Sequence, residues 1–169
     1  MNIFRTVFDS PIGRLLLEGT CDAVTGLHFV DSFTEIEIEI EREIKRDEVS
    51  GESCALIDAA HAQLAEYFEG RRTVFDVPYS LDRCGEFQRR VLAEVAAIPF
   101  GRVTSYGAIA QIIGRPAASR AVGQANGRNP ISLFVPCHRV IGSNGKLTGY
   151  GGGLPAKQWL LKHEGVLAL

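Results

Sequence analysis

The chain is 169 residues long, 46% hydrophobic and 22% charged, with four cysteines and a formal net charge of −2. That composition excludes a disordered or collagen-like polymer, and no apolar run approaches the roughly 18–20 residues of a membrane-spanning helix. The small net charge hides an asymmetry: residues 1–83 hold 8 Lys+Arg against 17 Asp+Glu and residues 84–169 hold 10 against 3, so only the second half is expected to meet a polyanion.

The opening MNIFRTVFDS alternates and carries Asp9, unlike a signal peptide, which points to a cytoplasmic protein with reduced thiols. Three β-rich runs follow, Ile3–Phe8, Arg14–Glu18 and Thr25–Val30, separated by turns at Ser10-Pro11-Ile12-Gly13 and from Cys21-Asp22. The run EIEIEIEREIKRDE at 35–48 alternates like a strand, yet Ile36, Ile40 and Ile44 also make a helical stripe; its period decides nothing. Ser53 to Glu69 reads as a helix capped by Ser53, with Leu56, Ala60, Leu64 and Tyr67–Phe68 on its apolar face. Thr73–Val77 reads as a short strand. Pro78–Gly85 marks a boundary, where turn residues cluster and the charge changes sign, giving domains at 1–80 and 85–169.

The second domain reads as helical: Phe87–Ile98, a Pro99-Phe100-Gly101 break, Ser105–Ile113, a Gly114-Arg115-Pro116 turn, and Ala117–Ala125. The last two helices and their short turn have the helix-turn-helix pattern. At about 100° per residue, Ala118, Ala121, Val122 and Ala125 share one face of the third helix and Arg120 points away from it. Arg120 is then either a solvated arginine or a cationic probe on a helix thin enough to enter a groove.

Phe134–Ile141 places Cys137 beside His138 in a strand-like apolar run. Neighbouring strand residues point to opposite faces, so a direct Cys–His pair does not follow, and a thiol in such a run is either inert packing or a nucleophile. With an ordinary thiol pKa of about 8.5, a nucleophile here needs a base or nearby positive charge. On a final helix over Pro155–Glu164, Glu164 shares a side with Leu160 and Leu161; it is either an exposed last-turn residue or an inward carboxylate that needs a partner such as histidine.

The segment Pro136-Cys137-His138-Arg139-Val140 resembles the active-site signature of the 6-O-alkylguanine-DNA alkyltransferases, the methylated-DNA–protein-cysteine methyltransferases. Thr104–Gly107, Ser119–Gly123, Arg128-Asn129-Pro130, Gly149–Gly153 and Lys157–Gly165 resemble the family in the same order, as do Asp9–Gly13 and Gly26-Leu27-His28. The resemblance implies an α+β protein, with a small antiparallel sheet in an N-terminal α/β domain and a mainly helical C-terminal domain carrying the helix-turn-helix. It implies a single-turnover DNA repair methyltransferase that flips out 6-O-alkylguanine, with 4-O-alkylthymine left open as a further substrate, and moves the alkyl group to its own Cys137. His138 activates that thiol through a water, Glu164 orients His138, Tyr106 assists departure of the guanine, and Asn129 ties the third helix to the Cys137 segment. Arg120 replaces the flipped base, with Ser119, Ala121, Gly123 and Arg128 also on the DNA side; Val140, Tyr150, Gly151 and Gly152 shape the pocket. The implied partner is double-stranded DNA carrying alkylated bases, with no membrane contact and no cofactor. The expected state is a monomer, with clustering on DNA left open.

Three positions depart from the family pattern. Some relatives hold zinc in the N-terminal domain; Cys21 and His28 stand near two ligand positions, but Met1 and Pro78 stand near the others, so no metal site is expected. Leu92 stands where tryptophan is frequent, and Gly151 where some relatives have serine. A lesion binder without transfer remains the alternative, disfavoured by Cys137, His138 and Glu164 occurring together; a cysteine hydrolase leaves the Arg120 helix unexplained.

Overall fold

The computed structural model describes residues 2–30 and 54–168, in two compact units, Met1–Ser80 and Leu81–Leu169. The Glu/Ile run at 35–48 and the Ser53 cap lie outside the described residues.

In the first unit, β1 (Phe4–Ser10), β2 (Gly13–Gly19) and β3 (Val24–Phe29) form an antiparallel sheet in chain order. Val7 faces Leu16 and Leu17 faces Leu27, and the β2–β3 register shifts at Glu18/Gly19. The helix α1 (Ala55–Phe68) turns Ile57, Ala60, Leu64 and Tyr67 inward, joining Leu15, Leu17, Val24 and Leu27 in the core. Ile57 thus takes the buried place expected of Leu56, which is only half-buried. The strand expected at Thr73–Val77 does not form. There the Asp76 N–H donates to Gln63 Oε1 at 3.0 Å, a side-chain acceptor in place of a ladder. Pairing with Val24 begins at Tyr79, beyond Pro78, which has no N–H to give.

The second unit opens with α2 (Glu86–Ala96), followed by β4 (Thr104–Ser105), α3 (Tyr106–Ile112), α4 (Ser119–Gly127), β5 (Val140–Ile141) and α5 (Gly153–His163). Leu92 fills a core position with no exposure, beside Val91, Val95, Ile109, Ala110, Val122 and Val140. Ser105 caps α3, its Oγ accepting from the Ala108 N–H at 3.1 Å. Gly114, at φ 73°, ends α3 in the left-handed region and lets the Arg115 N–H reach back to Ala110 O. Helix α4 packs on both α2 and α3, and β4 pairs in parallel with β5, Thr104 to Val140.

The expected strand through Cys137 and His138 is corrected: Cys137–Arg139 is a turn of 3-10 helix, and only Val140–Ile141 is extended. Two local causes act. Leu133 has φ 70°, with the Phe134 N–H donating to Ser132 O at 2.9 Å across it; such a γ-turn stores on the order of 1–3 kcal/mol. Pro136 then offers no donor for a ladder, and its carbonyl accepts instead from the Arg139 N–H. The tight turn buries Cys137, His138 and Arg139 together, where a strand would have alternated them.

Candidate active site

Glu164, just past α5, is the hub of a buried cluster. Its Oε1 lies 2.7 Å from His138 Nε2, and Arg139 holds it with two bonds, Nε to Oε2 at 2.8 Å and Nη2 to Oε1 at 3.0 Å. Arg139 Nη1 donates to Ile98 O, and the Gly101 N–H donates to Oε2 at 3.3 Å. Gly101 sits at φ 74°, and a Cβ there would lie 3.1 Å from Glu164 O, so conformation and space both call for glycine. Burial opposes the charge on Glu164, but the bonds from His138 and Arg139 outweigh it and hold the carboxyl at about 2.

An ionised carboxylate only accepts, so the proton of the His138 contact sits on Nε2. Burial lowers the His138 pKa, so the ring is neutral and Nδ1 keeps its lone pair. Nδ1 is buried and takes no hydrogen-bond partner among the described residues. The Tyr150 ring stands edge-on to His138, centroids 6.4 Å apart.

Cys137 is 5% exposed. Burial pushes its thiol up, against the pull of hydrogen bonds from Asn129 and Ser132 and of the Lys157 charge. Asn129 Nδ2 donates to Val135 O at 2.7 Å and its Oδ1 accepts from the Ile131 N–H, so it braces the loop before the thiol. The tie from α4 itself comes from Asn126, whose Nδ2 donates to Cys137 O at 3.2 Å.

Lys157, wholly buried on α5, donates from Nζ to Val140 O at 2.6 Å and Thr148 O at 3.0 Å. Nζ lies 6.0 Å from the centre of the Tyr106 ring, and Thr148 Oγ1 donates to Tyr106 OH at 3.1 Å. Burial lowers the Lys157 pKa to about 8, with Cys137 pulling it back up.

Tyr106, Ser119, Arg120, Gly123, Tyr150 and Gly151 line one cavity of about 650 Å³. A Cβ on Gly123 would lie 3.7 Å from Tyr106 Cδ1, in ordinary contact with the ring. Arg120 is exposed, with no partner among the described residues. Ala121 and Arg128 face a second depression of about 370 Å³, with Phe87 and Gln88. Val140 is buried at β5 and Gly152 precedes α5; neither lines either cavity.

Sequence reasoning missed Arg139, Asn126 and Lys157. Arg139 and Lys157 stood inside quoted motifs, but nothing in the spacing separates a buried cation from a solvated one. Asn126 carried a weak signal, lying one residue past Ala125 of the apolar stripe. Among the described residues no group of three His, Cys, Asp or Glu is placed to hold a metal ion. His28 lies 3.5 Å from Glu18, and Cys21 is a free, exposed thiol.

The profile described as 6-O-methylguanine DNA methyltransferase, DNA binding domain, matches residues 86–166, and its ribonuclease-like domain matches residues 3–81. The chain is 50% identical over 161 residues to a methylated-DNA–protein-cysteine methyltransferase of Mycolicibacterium paratuberculosis, covering 95% of this chain and 91% of that one. It superposes on the Mycobacterium tuberculosis O6-methylguanine methyltransferase with a TM-score of 0.81 at 43% identity, covering 96% and 93% of the two chains. A crystal structure of Mycobacterium tuberculosis OGT in complex with DNA matches at TM-score 0.79 and 42% identity, covering 95% and 92%.

Proposed function

The chain belongs to the 6-O-methylguanine DNA methyltransferase family, and from that premise we propose that it repairs DNA by moving an alkyl group from 6-O-alkylguanine irreversibly onto its own Cys137. One arrangement carries the assignment of residues. A nearly buried thiol shares a tight turn with a neutral imidazole whose Nε2 is anchored on Glu164 and whose Nδ1 lone pair is free to take a proton.

The lesion lies inside the duplex, so the base must be extruded at a cost of roughly a few kcal/mol. Arg120 enters the stack in its place, and the small residues of α4 allow close approach to the groove. The extruded base enters the 650 Å³ cavity against Tyr106, with Tyr150 and the Gly151 backbone closing over it. Val140 and Gly152 hold that wall from behind. Ser119 and Gly123 shape the face of α4 turned to the base, and Ala121 and Arg128 meet the backbone through the second depression.

His138 Nδ1 takes the thiol proton through a water, while the Lys157 charge favours the thiolate. The sulfur attacks the alkyl carbon; the S–C bond forms as the C–O bond breaks, and that electron pair leaves with the guanine. Tyr106 OH donates toward the base as charge builds on it, and the guanine regains a proton from the site. The thioether has no good leaving group, so each molecule acts once and alone as a monomer.

Mass spectrometry after reaction with a methylated duplex tests this. The expected result is one methyl per protein, on the peptide carrying Cys137; a methyl on Cys21, Cys54 or Cys84, or repeated turnover, overturns it.

A further inference from the structure

Thr148 is exposed on the wall of the 650 Å³ cavity and holds two groups of the site from one residue. Its hydroxyl donates to Tyr106 OH at 3.1 Å, and its carbonyl accepts from Lys157 Nζ at 3.0 Å. Lys157 Nζ also donates to Val140 O at 2.6 Å, so this buried side chain ties the backbone of Thr148 to β5.

The chain between β5 and Thr148 folds back on itself to bring the threonine there. The Gly142 N–H donates to Lys146 O at 3.0 Å and the Lys146 N–H to Asn144 Oδ1 at 3.1 Å, closing a tight turn over Asn144-Gly145. Gly145 takes φ 76°, the left-handed conformation that glycine adopts at no steric cost. Just past this turn, Thr148 meets Tyr106, the first residue of α3.

The Tyr106 ring runs along Gly123 of α4, where a Cβ would lie 3.7 Å from Cδ1. Packing of the ring fixes the phenol oxygen but leaves its hydrogen to turn about the C–O bond. A phenol hydroxyl has one proton to give and lone pairs that accept. Because Thr148 donates, the Tyr106 oxygen is the acceptor of that bond and keeps its own proton for a third group. A bond received at an oxygen also strengthens the bond the same hydroxyl gives.

We propose that Thr148 is the positioning residue for Tyr106: it commits the phenol proton to the extruded base and steadies the charge that gathers on the phenol oxygen as that proton is shared with the departing guanine. The proposal rests on the role given to Tyr106 above. Thr148 itself makes and breaks no covalent bond and touches no reacting atom. Its anchor on Lys157 matters because the threonine is exposed, and a hydroxyl on an unheld loop would turn to water instead.

Single-turnover repair of a duplex carrying 6-O-methylguanine, followed over a range of protein concentrations, separates the saturating rate from the half-saturating concentration. Thr148→Val removes the hydroxyl and keeps the carbonyl and nearly the same shape. We expect it to lower the saturating rate about fivefold, the worth of one hydrogen bond, and to leave the half-saturating concentration unchanged. Thr148→Ser keeps the hydroxyl and should restore the parental rate. In a Tyr106→Phe background, Thr148→Val should cost nothing further. A Thr148→Val rate at or above the parent's, a Thr148→Ser as slow as Thr148→Val, a change confined to the half-saturating concentration, or an equal loss in both backgrounds overturns the proposal. Tyr106→Phe as fast as the parent would remove the phenol from the chemistry and Thr148 with it, while methyl transfer to Cys137 would stand.

Discussion

A lysine with no solvent exposure is costly unless its charge does something, and Lys157 spends two of its three donors on the carbonyls of Val140 and Thr148. Its charge reaches Cys137, where it favours the thiolate, and His138, where it opposes the imidazolium; the Tyr106 ring centre lies 6.0 Å from Nζ. Lys157→Met keeps the length and removes the charge and the donors. We expect the acid limb of the pH–rate profile for alkyl transfer to move up by about one unit, a loss of about tenfold at neutral pH. Lys157 itself loses its proton near 8, so the support it lends is present below that pH and lost above it. Rates of the variant and the parent should therefore converge above about pH 9. An equal loss at every pH would mean that Lys157 only supports the fold.

At the scale of an element, the proposed role of α4 is to read the duplex. If Arg120 merely neutralises a phosphate, Arg120→Lys should behave as the parent does; if it fills the place of the lost base, the planar guanidinium stacks where an ammonium cannot. The comparison to make is the ratio of repair rates on duplex and on free alkylated guanine. We expect Arg120→Lys to lower that ratio and Arg120→Ala to lower it further, with the free base barely affected. Equal losses on both substrates would remove Arg120 from the stack. The outward direction of Arg120 was legible in the sequence because a helix of small residues leaves one apolar stripe. The turn at Cys137 was not, since apolar residues around a proline look alike in a strand and in a 3-10 turn. The difference came from Leu133, whose left-handed backbone has no sequence signature, in contrast to Gly101 and Gly114. The spacing from Leu160 and Leu161 left Glu164 either exposed or inward, because both faces meet in the last turn of a helix, and the Arg139 bridge needed the turn first.

For the molecule as a whole, three groups among the described residues bear on stability in acid. His138 is held neutral, so below about 6.5 the unfolded chain takes a proton that the folded ring refuses, and stability falls as pH falls. Glu164 in the second unit and Glu18 in the first, the latter bonded to His28 and Arg5, are both held at about 2 against an ordinary 4.5, so their contribution is present above 4.5 and drains away toward 2. Thermal melts of the full chain should show a gentle decline below about pH 6.5 and a steep one below 4.5. His138→Gln should remove the first decline and leave the second; a flat melting temperature down to pH 4 in the unaltered chain would contradict the neutral imidazole. The same carboxylate has a consequence in time. Glu164 is bonded to residues 63, 26 and 25 positions earlier in the chain, at Gly101, His138 and Arg139. During synthesis from the N-terminus, Cys137 is joined to the chain before Glu164, the carboxylate that anchors the neighbouring His138. On the proposed mechanism, a nascent chain is therefore chemically unarmed until α5 has docked on the turn at Cys137.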